Sequence, residues 1–196
     1  MVKHSSQDIA RLEAVIAQQI QINVTDLAMI KEKFVQVDAR KGQVLVEAGQ
    51  KCTEMYFIRS GYLRVFSLAN GVETTLWIGN SGSFMTAISS FIFETSNRWT
   101  IQAITECQLE VLGRKDHFEL LQRCPKWMEF DIVLLSRSFA MLEERMFAHL
   151  HSTARERLDL LMQNNPRLFL DVPLQYIASL LGVTPETISR LRKNSP

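Results

Sequence analysis

The sequence predicts an α+β chain: short antiparallel strands, then one long helix, then three short helices. Three observations carry that reading. Between Gln43 and Gly113, brief apolar runs are broken by glycine at intervals of roughly ten residues, the punctuation of a sandwich or barrel. From Met128 to Met146, apolar residues recur at spacings of four, three, four, three and four, a seam of a and d positions. Beyond Ser152, two apolar helical stretches meet at Gly182.

The elements follow in order. Ile9, Leu12, Val15, Ile16 and Gln19 keep three–four spacing, and Leu27, Ile30 and Phe34 do so again, so the chain reads as helical up to about Phe34. Strands follow at Val44–Val46, Met55–Ile58 and Tyr62–Phe66. Asn70-Gly71 lies between Tyr62–Leu68 and Val72–Ile78, and a type I′ hairpin turn needs positive φ at both central residues. Trp99–Ile104 and Cys107–Leu112 supply two further strands. Phe57, Leu63, Trp77, Phe84 and Trp99, apolar at strand spacing, read as the interior of the roll. Arg114 to Cys124 is a short helix stopped by Pro125, with His117 on its surface.

The long helix runs from Lys126 to about His151. Met128, Ile132, Leu135, Phe139, Leu142 and Met146 form its seam, and His149 falls on the next seam position as a solvated end. Two details favour a partner helix. The preceding β region already has flanking helices, and Glu143, Glu144 and Arg145 occupy outward positions. The expected division is a roll at 1–125, a dimerisation helix at 126–151 and a helical domain at 152–196.

Composition bounds the class. A chain of 196 residues with 46% hydrophobic and 22% charged residues is globular, which excludes disorder and collagen-like repeats. No apolar run approaches the ~18 residues of a membrane span. The first residues carry acids and lack a compact apolar stretch, so no signal peptide is expected. A net charge of +1 means that nucleic-acid binding must come from a local patch. Cys52, Cys107 and Cys124 are far apart and in no metal spacing, which reads as reduced thiols in a cytoplasmic protein.

The informative segment is Val172 to Lys193. Ile177, Leu180 and Leu181 are apolar at helical spacing, and Ala178 is small where a second helix would cross. Gly182 can take the left-handed conformation, Val183 plugs the turn, Thr184 can cap a new helix and Pro185 suits its first position. Ile188 and Leu191 face inward, while Pro185, Glu186, Ser189, Arg190 and Lys193 fall on the opposite face. Arginine can bridge N7 and O6 of guanine and glutamate can accept from the cytosine amino group. Arg190 and Glu186, one turn apart, could read neighbouring base pairs while orienting one another. Arg192, Lys193 and the Thr184 and Thr187 hydroxyls suit phosphates. The alternative is a helical hairpin with a Glu–Arg pair on its solvated face. The chain would then be a ligand-sensing or protein-interaction module with a degenerate helix-turn-helix.

The order of β-roll, long helix and C-terminal helix-turn-helix resembles the Crp–Fnr superfamily of bacterial transcription regulators. MYFIRSGYLRVF (Met55 to Phe66) with the Asn70-Gly71 hairpin is similar to the strands of that family's cyclic-nucleotide-binding roll. LLGVTPETISRLRK (Leu180 to Lys193) looks like its recognition-helix motif. The resemblance implies a double-stranded β-helix (jelly roll), a dimerisation helix and a winged-helix-like domain. It implies a homodimer on double-stranded DNA, with RNA polymerase and a small-molecule effector as further partners. Pro185, Glu186, Ser189 and Arg190 would face the bases.

The pattern departs from the family at the phosphate cassette. In the stretch GSFMTAI (Gly82 to Ile88), Thr86 and Ala87 stand where a Gly-Glu pair holds the nucleotide. Asn97 stands where an arginine meets the cyclic phosphate, and Arg98 is one residue off, a slip that reverses side-chain direction on a strand. Phe84, Thr86, Ala87, Asn97 and Arg98 are the candidate effector pocket, and cyclic AMP is not the expected effector. Three scattered cysteines cannot supply the four ligands of an iron–sulfur cluster, and His117, as a surface residue, is no haem ligand. No metal is expected. A cupin-type metalloenzyme needs clustered histidines, and Gln43 to Gly113 contains none. His149 and His151, two apart on a helix, point to opposite sides. With no nucleophile triad or phosphate loop either, the chain is not expected to be an enzyme. Pro196 follows closely on the recognition helix, so phosphate contacts that a β-wing would make are expected to be absent or to come from elsewhere.

Overall fold

The computed structural model describes residues 9–69 and 71–193. Two helices, α1 (Leu12–Gln19) and α2 (Val24–Glu32), lead into eight strands: β1 (Phe34–Ala39), β2 (Val44–Val46), β3 (Glu54–Ser60), β4 (Leu63–Ala69), β5 (Val72–Gly79), β6 (Phe84–Met85), β7 (Thr100–Ala103) and β8 (Cys107–Gly113). A short helix, α3 (Ile88–Phe93), interrupts them. After β8 the chain is helical: α4 (Arg114–Arg123), α5 (Pro125–His151), α6 (Ala154–Asn164), α7 (Leu168–Asp171), α8 (Leu174–Leu181) and α9 (Pro185–Lys193). The strands form two antiparallel four-stranded sheets, in the orders β1-β8-β3-β6 and β2-β7-β4-β5. The mixed fold with an N-terminal sandwich agrees with the fold class read from the sequence.

Several elements differ from the sequence reading. The short strand β6 and the helix α7, a fourth helix after α5, were not expected. Phe34 begins β1, paired with β8 from Phe34↔Leu112 to Ala39↔Cys107. Its spacing of four from Ile30 imitated a continuing helix, while the strand's Val35 and Val37 lie exposed at the sheet edge. Helix α3 occupies the stretch just after the cassette position, where no element was expected.

Alternation on β3 divides the core. Tyr56 and Ile58 point between the sheets with Leu63, Val65, Ile101 and Leu109. Met55 and Phe57 point the other way, into a second cluster built by α1, α2, α4 and the start of α5. Because β3 is buried on both faces, its sequence is a continuous apolar run. Phe57 and Phe84 therefore leave the expected roll interior: Phe84 packs between Phe57 (ring centroids 5.0 Å apart) and Phe130 of α5 (5.4 Å). Leu63, Trp77 and Trp99 stay with the inter-sheet cluster. All three cysteines are buried.

The β4–β5 hairpin pairs Ala69 with Val72, leaving a two-residue turn. Gly71 has φ +78°, as such a turn requires, and Asn70 lies outside the described residues. The hairpin carries a bulge. Val65 pairs with Trp77 and Phe66 with Thr75, so Leu76 has no partner on β4. A third cluster joins Leu158, Leu168, Val172, Ile177, Leu181 and Ile188 of the C-terminal helices to Tyr62 and Ile104 of the roll.

Candidate nucleic-acid interface

Helix α8 ends at Gly182, whose φ of +69° turns the chain into the next helix. Thr184 caps α9, its hydroxyl accepting the Thr187 N–H at 3.3 Å, and Pro185 takes the first helical position. Ile188 is buried against Ile177 and Leu181, so α9 is fixed to α8 by a shared core. The opposite face is open. Pro185, Glu186, Ser189, Arg190 and Lys193 line a shallow depression of about 420 Å³. The Glu186 carboxyl is held below the ordinary range, first by its own backbone N–H and then by Thr184. Among the described residues Glu186 and Arg190 form no ion pair, so the expected mutual orientation is absent, and both lie exposed. Arg192 lies over the Phe169 ring, 6.0 Å from its centroid, and the Thr187 hydroxyl is 3.2 Å from that of Thr184.

The seam residues Met128, Ile132, Leu135, Phe139, Leu142 and Met146 are all exposed, between 40% and 64%. His149, at the next seam position, is exposed, and so is its neighbour Leu150 (74%). The His149 Nδ1 lies 3.0 Å from the Arg145 carbonyl oxygen. Arg145 corrects the sequence reading more sharply, because it turns inward. Its guanidinium lies 5.5 Å from the Trp77 ring centroid, donates to the carbonyl of Leu76, and donates from Nη2 to that of Leu180 at 3.1 Å. Burial pulls its pKa down to about 10, which leaves it charged at neutral pH.

Further contacts join α8 to the roll, and sequence reasoning missed them. The Ser179 hydroxyl accepts the Thr75 N–H at 2.8 Å and donates to the Glu73 carbonyl at 3.0 Å, satisfying the outward groups of the edge strand β5. Arg64, only 3% exposed, pairs with Glu73 at 2.6 Å and reaches Gln102 at 2.7 and 2.9 Å. Its guanidinium is stacked between the rings of Phe66 (3.8 Å) and Tyr176 (3.9 Å). The available signal was an arginine inside an otherwise apolar strand, YLRVF.

The candidate effector residues do not assemble as one site. Phe84 lies on the helix side of its sheet. The Thr86 hydroxyl donates to the Glu54 carbonyl at 2.9 Å, and Ala87 is buried ahead of α3. Asn97 is buried and its side-chain carbonyl accepts the Trp99 N–H at 2.9 Å, while Arg98 is exposed.

His117 is fully buried, not on the surface as the sequence suggested. Its helix packs under α5, and the ring meets Phe91, Phe118 and Trp127 edge-on. Trp127 Nε1 donates to Nδ1 at 3.3 Å, so the neutral ring carries its proton on Nε2. Nε2 has no hydrogen-bond partner and lies 3.9 Å from Asp131 Oδ2. Burial first, then Arg114, pulls the His117 pKa down to about 4, and burial pushes Asp131 up to about 6. Among the described residues no cluster of three His, Cys, Asp or Glu could hold a metal, and no helix is long and apolar enough to cross a membrane.

Residues 36–124 match the family model of the cyclic nucleotide-binding domain. The matched segment runs from β1 to the end of α4. No curated protein matches the sequence. The chain is similar in fold to a CooA mutant from Carboxydothermus hydrogenoformans: 20% identity, 96% of this chain, 84% of that one, TM-score 0.69. FixK2 from Bradyrhizobium japonicum gives 18%, 82%, 83% and 0.70 in the same order. A putative transcriptional regulator of the crp/fnr family from Eubacterium rectale gives 18%, 88%, 82% and 0.67. The matched segment and the helices that follow it share the fold of these Crp–Fnr regulator structures.

Proposed function

We propose that the chain is a sequence-specific DNA-binding transcription regulator of the Crp–Fnr type, acting in the cytoplasm as a homodimer. The observation that carries the reading is the recognition face. Glu186, Ser189, Arg190 and Lys193 are presented together on the open side of α9, behind a glycine turn, in a chain with a regulator fold. The roll (1–125) is the sensor, the α5 region (126–151) dimerises it, and 152–196 reads the major groove. Support for the dimer comes from the exposed apolar row Met128 to Met146, for which a second copy is the matching surface. Two copies would place the recognition helices at half-sites about 34 Å apart. Arg190 and Glu186 read bases, while Lys193, Arg192, Thr184 and Thr187 serve phosphates.

The effector is a small molecule other than cyclic AMP. Thr86 and Ala87 replace the carboxylate-bearing pair, and Asn97 spends its amide on its own loop. RNA polymerase is the further partner.

Fluorescence anisotropy on random and selected duplexes at several salt concentrations tests the reading. The expected result is enrichment of a palindrome, with Arg190→Ala weakening specific binding by about 1–3 kcal/mol and relaxing base choice. Binding with a steep salt slope and no sequence preference, or no binding, would overturn it; the latter favours the interaction module.

A further inference from the structure

Between α5 and α6 lie only Ser152 and Thr153, both in extended conformation. Arg157 braces this joint, donating to the carbonyls of Ser152 at 2.7 Å and Leu181 at 3.1 Å, and Tyr62 and Ile104 pack beneath the helices. The Arg157 bonds reach neither the roll nor α5, however, and the apolar packing is not directional. Yet a dimer that reads two half-sites must hold both recognition helices at one angle. Something beyond the joint has to set that angle.

The geometry points to Arg145 as the positioning residue of the recognition helix, clamping α8 to the edge strand of the roll; this inference rests on the DNA-binding reading above. Three elements meet at this side chain. It stands on α5 beside the exposed seam, three positions after Leu142. One arm takes the carbonyl of Leu76, which the bulge leaves without a partner on β4. The other arm takes the carbonyl of Leu180 in the last turn of α8, where backbone carbonyls lack helical partners and a cation is favoured. The fork geometry of the guanidinium lets one residue serve both carbonyls while its face covers Trp77.

Two neighbouring contacts share the task. Ser179 ties the middle of α8 to Thr75 and Glu73, and Tyr176 closes over Arg64. Because α8 and α9 share the core of Ile177, Leu181 and Ile188, fixing one fixes the other. The clamp leaves the Pro185–Lys193 face uncovered. It therefore orients the recognition helix and does not mask it.

The test uses the full chain and the variants Arg145→Met, Arg145→Lys and Ser179→Ala. The first measurement needs no DNA: amide hydrogen exchange at Thr75. R145M leaves Ser179 in place, so faster exchange there reports release of α8. Loss of charge-assisted bonds predicts acceleration of roughly tenfold or more. R145K, which keeps the charge without the fork, should fall between. The second measurement is anisotropy on palindromes whose half-sites are moved apart in steps. The wild type should prefer one spacing, and R145M should bind all spacings within about threefold while its amides elsewhere exchange as before.

Unchanged exchange at Thr75 in R145M, or a retained spacing preference, would overturn the assignment. Tighter binding by R145M at every spacing would overturn it too, by making the contact inhibitory. Should R145M fail to fold, R145K decides by the same two measurements, and S179A, which removes the Thr75 acceptor itself, is read by the spacing preference alone. If the wild type shows no sequence preference, the DNA-binding reading fails, and Thr75 exchange still decides whether Arg145 holds α8.

Discussion

Replacing Asp131 by asparagine separates two buried titrations that oppose each other. His117 falls from its ordinary 6.5 to about 4, because its neutral form is the one that fits the Phe91–Phe118–Trp127 surroundings. For a base with a depressed folded pKa, the unfolded chain binds more protons between those values. Its contribution is complete above pH 6.5 and is lost as pH falls toward 4, by roughly 3 kcal/mol. Asp131 rises from 3.8 to about 6, so here the folded chain holds the proton longer. Its contribution is complete below 3.8 and is lost as pH rises through 6, again by roughly 3 kcal/mol. Over this window the two run in opposite directions and nearly cancel. D131N removes only the second. The stability difference between variant and wild type should open from near zero at about pH 4 and level off above pH 6. At neutral pH the variant should be more stable by about 1–3 kcal/mol. Urea unfolding from pH 4 to 8 at fixed protein concentration measures this, and the difference cancels groups common to both chains. A variant less stable at pH 7 would refute the reasoning, because the 3.9 Å contact would then be a working ion pair with charged His117.

Two shorter expectations accompany it. Phe139→Glu places a charge in the middle of the apolar row at a residue already 64% exposed. The monomer should stay folded while dimer dissociation rises by about a hundredfold or more, read by sedimentation equilibrium. Gly182→Ala meets open space, the nearest atom being His149 Nε2 at 4.0 Å, but must hold φ +69°. It should lose about 1 kcal/mol in thermal or urea unfolding; a loss several times larger would mean that crowding rather than backbone conformation reserves the position.

What was legible in the sequence is local chemistry. Glycine marks the β4–β5 turn and the α8–α9 turn, Pro125 opens α5, and Thr184 with Pro185 opens α9, each through its own backbone preference. The spacing from Met128 to Met146 likewise specifies one helix face without reference to anything else. What was not legible depends on distant partners. Phe34 fits a helical row as well as a strand until β8 is seen beside it. His117 reads as a surface residue because nothing nearby in sequence shows that α5 folds back over it. Arg145 sits among Glu143 and Glu144 like any solvated charge, and its partners lie 69 and 35 positions away. The apolar run of β3 was visible, but a strand with two apolar faces does not say which face meets the other sheet. Phe57 and Phe84 were therefore placed on the wrong side.

Tyr62 and Ile104 belong to the roll, yet they pack into the cluster that supports α6 to α9, and Tyr62 also donates to Asp171 at 3.2 Å. The C-terminal helices therefore stand on a shelf that they do not encode. A bundle this small buries little apolar surface by itself, so part of its stability is on loan from another part of the chain. Grafting these helices onto a different roll would transfer the residues that face outward without the floor beneath them. In this protein the unit of inheritance for the helix-turn-helix extends backward to the strands at Tyr62 and Ile104.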